Sequence, residues 1–115
     1  MLERIAHSGL ASPLAVLKRM GPGRAGHLSF PMEGYTLACD FRNTPDAVAL
    51  IESLEDATQD AGGRIYLAKD ALATGAAVRS MYPDHGAWLR AVERVDPEGT
   101  MTTDLVRRLE LRNAA

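Results

Sequence analysis

The chain has 115 residues, of which 46% are hydrophobic and 24% charged, with a formal net charge of −2. That is one small domain by length, and the composition excludes wholesale disorder. Acids and bases alternate, so there is no basic stripe for a nucleic-acid backbone. No apolar run approaches the roughly 20 residues that span a bilayer.

The single cysteine, Cys39, excludes an internal disulfide and suits a reducing compartment. The N-terminus lacks the order of a signal peptide. A cytoplasmic location is therefore expected, with peripheral membrane association compatible. His7, His27 and His85 stand far apart, without metal-ligand spacing, so no metal is expected.

In chain order, residues 2–8 can form one or two helical turns ending at Gly9. Pro13 to Met20 reads as a strand, with Leu14, Val16, Lys18 and Met20 on one face and Ala15, Leu17 and Arg19 on the other. Gly21-Pro22-Gly23 is a turn, and Leu28-Ser29-Phe30 a short extended piece. Gly34 to Phe41 is the clearest strand. Tyr35, Leu37, Cys39 and Phe41 line one face, Thr36, Ala38 and Asp40 the other. Cys39 is expected in the core as a small hydrophobe.

Thr44-Pro45-Asp46 is a helix start: a hydroxyl cap, a proline at the first helical position and an acid in the first turn. Apolar residues then recur at three and four positions from Ala47 to Ala61. Gly62 supplies the left-handed residue that ends the helix. Arg64 to Ala68 reads as a third strand. Short helices follow at roughly 74–81, 85–94 and 102–110. The order predicts an α+β fold: a small antiparallel or mixed sheet, one long amphipathic helix and a helical C-terminal segment. That last segment has little amphipathic length and reads as made to pack on something outside the chain.

Gly21-Pro22-Gly23-Arg24-Ala25-Gly26 is a literal G-x-G-x-x-G after a strand. A dinucleotide fingerprint requires a helix to open there. His27-Leu28-Ser29-Phe30-Pro31 cannot supply a useful one, so a turn between strands is the simpler reading. Tyr66 and Lys69 lie at the end of the expected third strand, where α/β sites cluster. Lysine there can present a compact cation to an anionic centre; read from the pattern alone, it is more simply a solvated lysine beside a core aromatic. Lys18 sits mid-strand among apolar neighbours, which suits either a cavity wall or an edge facing water. No Ser/His/Asp or Cys/His set supports nucleophilic catalysis.

The ordered set Gly62-Gly63-Arg64-Ile65-Tyr66-Leu67-Ala68-Lys69-Asp70, Met81-Tyr82-Pro83, Trp88, Val95-Asp96-Pro97 and Asp104 to Leu109 resembles the C-terminal end of FAD-linked oxidoreductases of the vanillyl-alcohol-oxidase type. Sugar-lactone (D-arabinono-1,4-lactone) oxidases are more distant likenesses. The resemblance covers roughly residues 12–111. It implies oxidation of a sugar-like or polyol alcohol by hydride transfer to FAD, in a larger two-domain bacterial flavoenzyme. Residues 1–62 would belong to the substrate-binding domain and 63–115 to the flavin domain.

The resemblance further implies that Tyr66 and Lys69 contact the flavin, Lys69 being catalytic, and that Lys18, Met20, Thr36 and Ala38 line the substrate pocket. Met20, Thr36 and Ala38 depart from the phenylalanine, asparagine and cysteine of the resembled pocket. The flavin-binding half, in cis or in trans, is the implied partner, and the chain alone is not catalytically complete. The alternative is a non-catalytic α+β binding module, or a degenerate piece, that keeps the oxidase scaffold.

Overall fold

A computed structural model describes residues 1–23 and 26–112. Among them are α1 (Leu2–Ser8), β1 (Ala11–Met20), β2 (Gly34–Phe41), α2 (Pro45–Asp60), α3 (Gly75–Met81), α4 (His85–Val95) and α5 (Asp104–Arg108). The fold is α+β, as the element order predicts. Its sheet is a two-stranded antiparallel ribbon of β1 and β2.

Local chemistry accounts for the helix ends. Thr44 is extended, and its hydroxyl accepts from the Ala47 amide at 3.3 Å, with Pro45 at the first helical position. Such a cap is worth about 1 kcal/mol. Gly62 at φ 70 closes α2 in the left-handed conformation. Thr74 and Thr103 repeat the hydroxyl cap at α3 and α5, on the amides of Ala77 and Val106.

Residues 64–68 are not a strand. A strand needs a neighbour for its backbone groups, and here those groups go elsewhere. The Ile65 carbonyl accepts from the Tyr82 hydroxyl at 2.6 Å, and the Tyr66 carbonyl accepts from the Lys69 amide at 2.8 Å, closing a turn. The alternation read from the sequence persists as burial, since Ile65 and Leu67 pack on the core while Tyr66 faces out. Leu28 likewise lies in a turn, closed by the Ser29 amide on the Gly26 carbonyl.

The core also lies where the sequence pattern is least regular. Val78, Tyr82 and Leu109 are fully buried and cluster with Ala73, Met81 and Leu111, with Ile65, Leu67, Trp88 and Leu105 packed around them. The C-terminal segment therefore holds most of the buried apolar cluster, while Val95 and Met101 of the same segment stay exposed. Three short helices reach one core because α3 and α5 come close together. A Cβ on Gly75 would stand 2.8 Å from the carbonyl carbon of Leu109.

Burial pushes the Tyr82 phenol up to about 12, which keeps it a neutral donor. Removing that donor strands a carbonyl, at a cost of about 1–3 kcal/mol. Urea titration of Tyr82→Phe should show a loss of that size, and unchanged stability would rule out the bond as the clamp on 64–66.

Asp96 ties the end of α4 to the last described residue. Its carboxylate accepts from the Thr100 hydroxyl at 2.7 Å, from Arg112 Nη1 at 2.7 Å, and from the amides of Thr100 and Met101 at 3.0 Å each. The Thr100 hydroxyl first and Arg112 second hold its pKa below the usual carboxylate range. A depressed folded pKa means the stabilisation is fully present above the unfolded value, about 3.9, and fades as pH falls toward the folded value. Asp96→Asn should therefore flatten the loss of stability below about pH 4. Denaturant titrations across that range check the slope.

Candidate functional site

The ribbon brings four of the six site residues onto one face. In the antiparallel register Lys18 stands opposite Thr36, Val16 opposite Ala38 and Met20 opposite Gly34. Directly opposed residues share a face, so Lys18, Met20, Thr36 and Ala38 form one row across both strands. Lys18 is exposed, while Met20, Thr36 and Ala38 are half-buried. Asp40 continues the row along β2. The opposite face carries Leu17, Tyr35, Leu37 and Cys39, with Leu17 58% and Tyr35 74% exposed.

Tyr66 and Lys69 come from the turn that follows α2, not from a strand end. The backbone bond from Lys69 to Tyr66 fixes their spacing. The Tyr66 ring packs at 5.0 Å, tilted, on Phe30, with half of its surface exposed. Lys69 Nζ donates to Asp40 Oδ1 at 3.2 Å. That contact ties the turn to β2, at the end of the row holding Thr36 and Ala38. Asp40 was missed in the sequence, although its alternation with Thr36 and Ala38 is a readable signal.

The arrangement offers two ammonium groups, on Lys18 and Lys69, each with three donors and no acceptor. One acid, Asp40, faces Lys69. An exposed aromatic, Tyr66, lies within the same turn as Lys69. Such a wall can bind hydroxyl or anionic oxygens and present a cation to developing negative charge.

The G-x-G-x-x-G run includes Arg24 and Ala25, which lie outside the described residues. Between Gly26 and Thr44 the chain forms a turn and β2, and the next helix begins at Pro45. No helix N-terminus therefore follows the run to meet a pyrophosphate. Among the described residues there is no group of three or more His, Cys, Asp or Glu that could hold a metal ion, and no helix long and apolar enough to cross a membrane.

No family model matches the chain. It is 37% identical over 107 residues to decaprenylphosphoryl-beta-D-ribose oxidase of Mycolicibacterium smegmatis, covering 93% of this chain and 23% of that protein. It is 38% identical over 114 residues to an uncharacterized protein in the mprA 5′ region of Streptomyces coelicolor, covering 96% of this chain and 30% of that protein. The resemblance read from the residue pattern therefore extends over nearly the whole chain. The chain spans less than a third of either relative's length.

The Lys69–Asp40 contact is a solvated one, with side chains 57% and 49% exposed. Exposed pairs contribute about 0–1 kcal/mol. Asp40→Asn and Lys69→Ala should each change unfolding free energy by less than about 1 kcal/mol, as should their coupling in a double-mutant cycle. A larger coupling would make the pair a structural clamp.

Proposed function

We propose that the chain supplies part of the active site of an FAD-dependent oxidoreductase that oxidises a sugar-like or polyol alcohol. The observation that supports this most is the juxtaposition of Lys69 with the ribbon row, in a chain alike over nearly all its length to a named sugar-phosphoryl oxidase. In this reading Lys18, Met20, Thr36 and Ala38 form one wall of the substrate pocket. Tyr66 and Lys69 stand at the edge of the flavin. Residues 1–62 belong to the substrate-binding part and 63–115 to the flavin-binding part, and the remaining flavin-binding half comes in cis or in trans.

The residues present fit the edge of a flavin and not its phosphates. An exposed ring and an accessible ammonium, three residues apart on one turn, suit a planar aromatic group that gains electrons. The loop after β1 lacks the helix that a pyrophosphate needs. When bound, FAD supplies the two-electron acceptor for the alcohol's hydride. Lys69 then holds a positive charge where negative charge develops, and Asp40 holds the Lys69 chain over β2. Lys18 donates to substrate oxygen, while Met20 and Ala38 shape the apolar part of the wall and Thr36 offers a hydroxyl. Hydride chemistry also needs water kept out, which an open wall cannot do alone.

Isolated chain should be colourless after desalting, because among the described residues no glycine-rich loop leads into a helix N-terminus that could hold a pyrophosphate. In the complete flavoenzyme, Lys69→Ala should slow flavin reduction by a sugar alcohol by about 100- to 1000-fold. Lys18→Ala should chiefly raise KM, because it acts in ground and transition states alike. Stopped-flow bleaching of the flavin separates the two. Unchanged reduction in Lys69→Ala would remove that residue from the mechanism and favour the reading as a non-catalytic module.

A further inference from the structure

A cavity of about 650 Å³ opens between α1, the Leu37 face of β2, α2 and the segment from Ile65 to Ala73. Its wall is mostly apolar, with Ile5, Leu37, Phe41, Ile51, Leu54 and Leu72. Two acids line it and leave an oxygen without any donor: Glu55 Oε1 and Asp70 Oδ2, both shut off from water. Buried polar atoms in folded proteins almost always have a partner, and leaving one without costs free energy.

Asp70 is the stronger observation. Its side chain is only 9% exposed, and Oδ1 accepts from Arg108 Nη2 at 2.8 Å. Arg108 Nη1 goes to the Asp70 carbonyl at 3.1 Å, so that guanidinium leaves Oδ2 open. Lys69 lines the cavity and is directed to Asp40, a third acid of its wall. Glu55 comes from α2, which carries Asp46, Glu52, Glu55, Asp56 and Asp60 and no base. Burial raises the Glu55 pKa, the Thr74 backbone opposes this, and Asp56 and Glu52 add to it. The local balance is acidic, and the site has acceptors that nothing in the described chain serves.

We propose that this cleft receives a lysine or arginine side chain on an apolar stretch of polypeptide, from the part of the oxidase-like protein that this chain does not span. The occupant's stem would fill the apolar wall, and its charged head would sit against the Asp70 and Glu55 carboxyl groups that line the cleft. The chemistry matches on both counts: long basic side chains bury an apolar stem behind a charged head, and unpaired buried carboxylate oxygens select a cation. The unspanned part is large, since this chain covers 23% of one relative and 30% of the other. The inference rests on the reading above in one respect, that such a second part exists for this chain.

The test uses the portion of the Mycolicibacterium smegmatis oxidase outside the matched region, mixed with the full chain, with affinity read by calorimetry. A one-to-one complex is expected. Glu55→Gln and Asp70→Asn should each weaken it at least about tenfold, as loss of one side of a buried charged contact does. Glu98→Gln, an exposed acid far along the chain, should leave it unchanged. Glu55→Gln removes charge at a position already short of solvent, so it carries the test if Asp70→Asn disturbs the Arg108 pair. A complex of undiminished affinity in folded Glu55→Gln and Asp70→Asn overturns the cleft as the seat and leaves the two-part reading standing. Absence of any complex with the unaltered chain overturns both.

Discussion

The hydroxyl of Tyr82 on the carbonyl of Ile65 is the contact on which the rest of this chain depends. Tyr82 sits at the end of α3, fully buried, with the Arg64 guanidinium 5.1 Å from its ring centre. From there it holds the segment that leaves α2. Two further bonds fix that segment: Arg64 Nη1 on the Ser29 carbonyl at 3.0 Å, and the Lys69 amide on Tyr66. The consequence is positional. Tyr66, Lys69 and Asp70 leave the helical core at defined points, and each meets a different environment. Tyr66 meets Phe30 and solvent, Lys69 meets Asp40 on β2, and Asp70 turns inward to Arg108. One buried phenol thus helps to fix where three residues of the turn, Tyr66, Lys69 and Asp70, leave the core.

Much of this organisation was legible in the sequence, and the reasons are local. β2 runs from Gly34 to Phe41 as read, because two-residue alternation with β-formers is a strong signal. α2 announces itself through Thr44-Pro45-Asp46 and ends at Gly62, whose positive φ is the conformation that glycine supplies cheaply. Alternation put Lys18 with Met20 and Thr36 with Ala38, but only the antiparallel register of the structure joins the two pairs on one face. What was not legible depends on partners distant in sequence. Arg64 to Ala68 alternates as a strand should, but pairing needs a neighbour, and periodicity cannot say whether one exists. The core around Val78, Tyr82 and Leu109 was hidden because its helices are only five to eleven residues long. Such helices are too short to show a full amphipathic stripe. Asp40, Glu55 and Asp70 looked like ordinary acids until their surroundings were known.

Packing is uneven across the chain, and the unevenness bears on function. The helical part buries Val78, Tyr82, Leu109 and Leu111, although Val95 and Met101 stay exposed. The ribbon is more open: Leu14, Leu17 and Tyr35 are each more than half exposed, and two strands alone are marginally stable in water. Its strands also keep backbone groups unpaired along their outer edges, which attract further strands. A ribbon with open edges and exposed apolar side chains on both faces has room for further strands or a covering surface.

On the proposed reading the same unevenness decides which residues can do chemistry. A group stabilises developing charge strongly only where water is excluded. Lys69 is 57% exposed in this chain, with Asp40 beside it, so here its charge is screened and its contact weak. Covering the ribbon face would alter that without moving Lys69, because the surroundings set the strength of its field. The helical core holds the turn still, Asp40 directs the ammonium, and the covering part lowers the dielectric around it. Position is thus supplied within the chain, while electrostatic strength would be supplied by what packs against it. That division explains how a chain can carry the residues of a site and still have little reactivity alone.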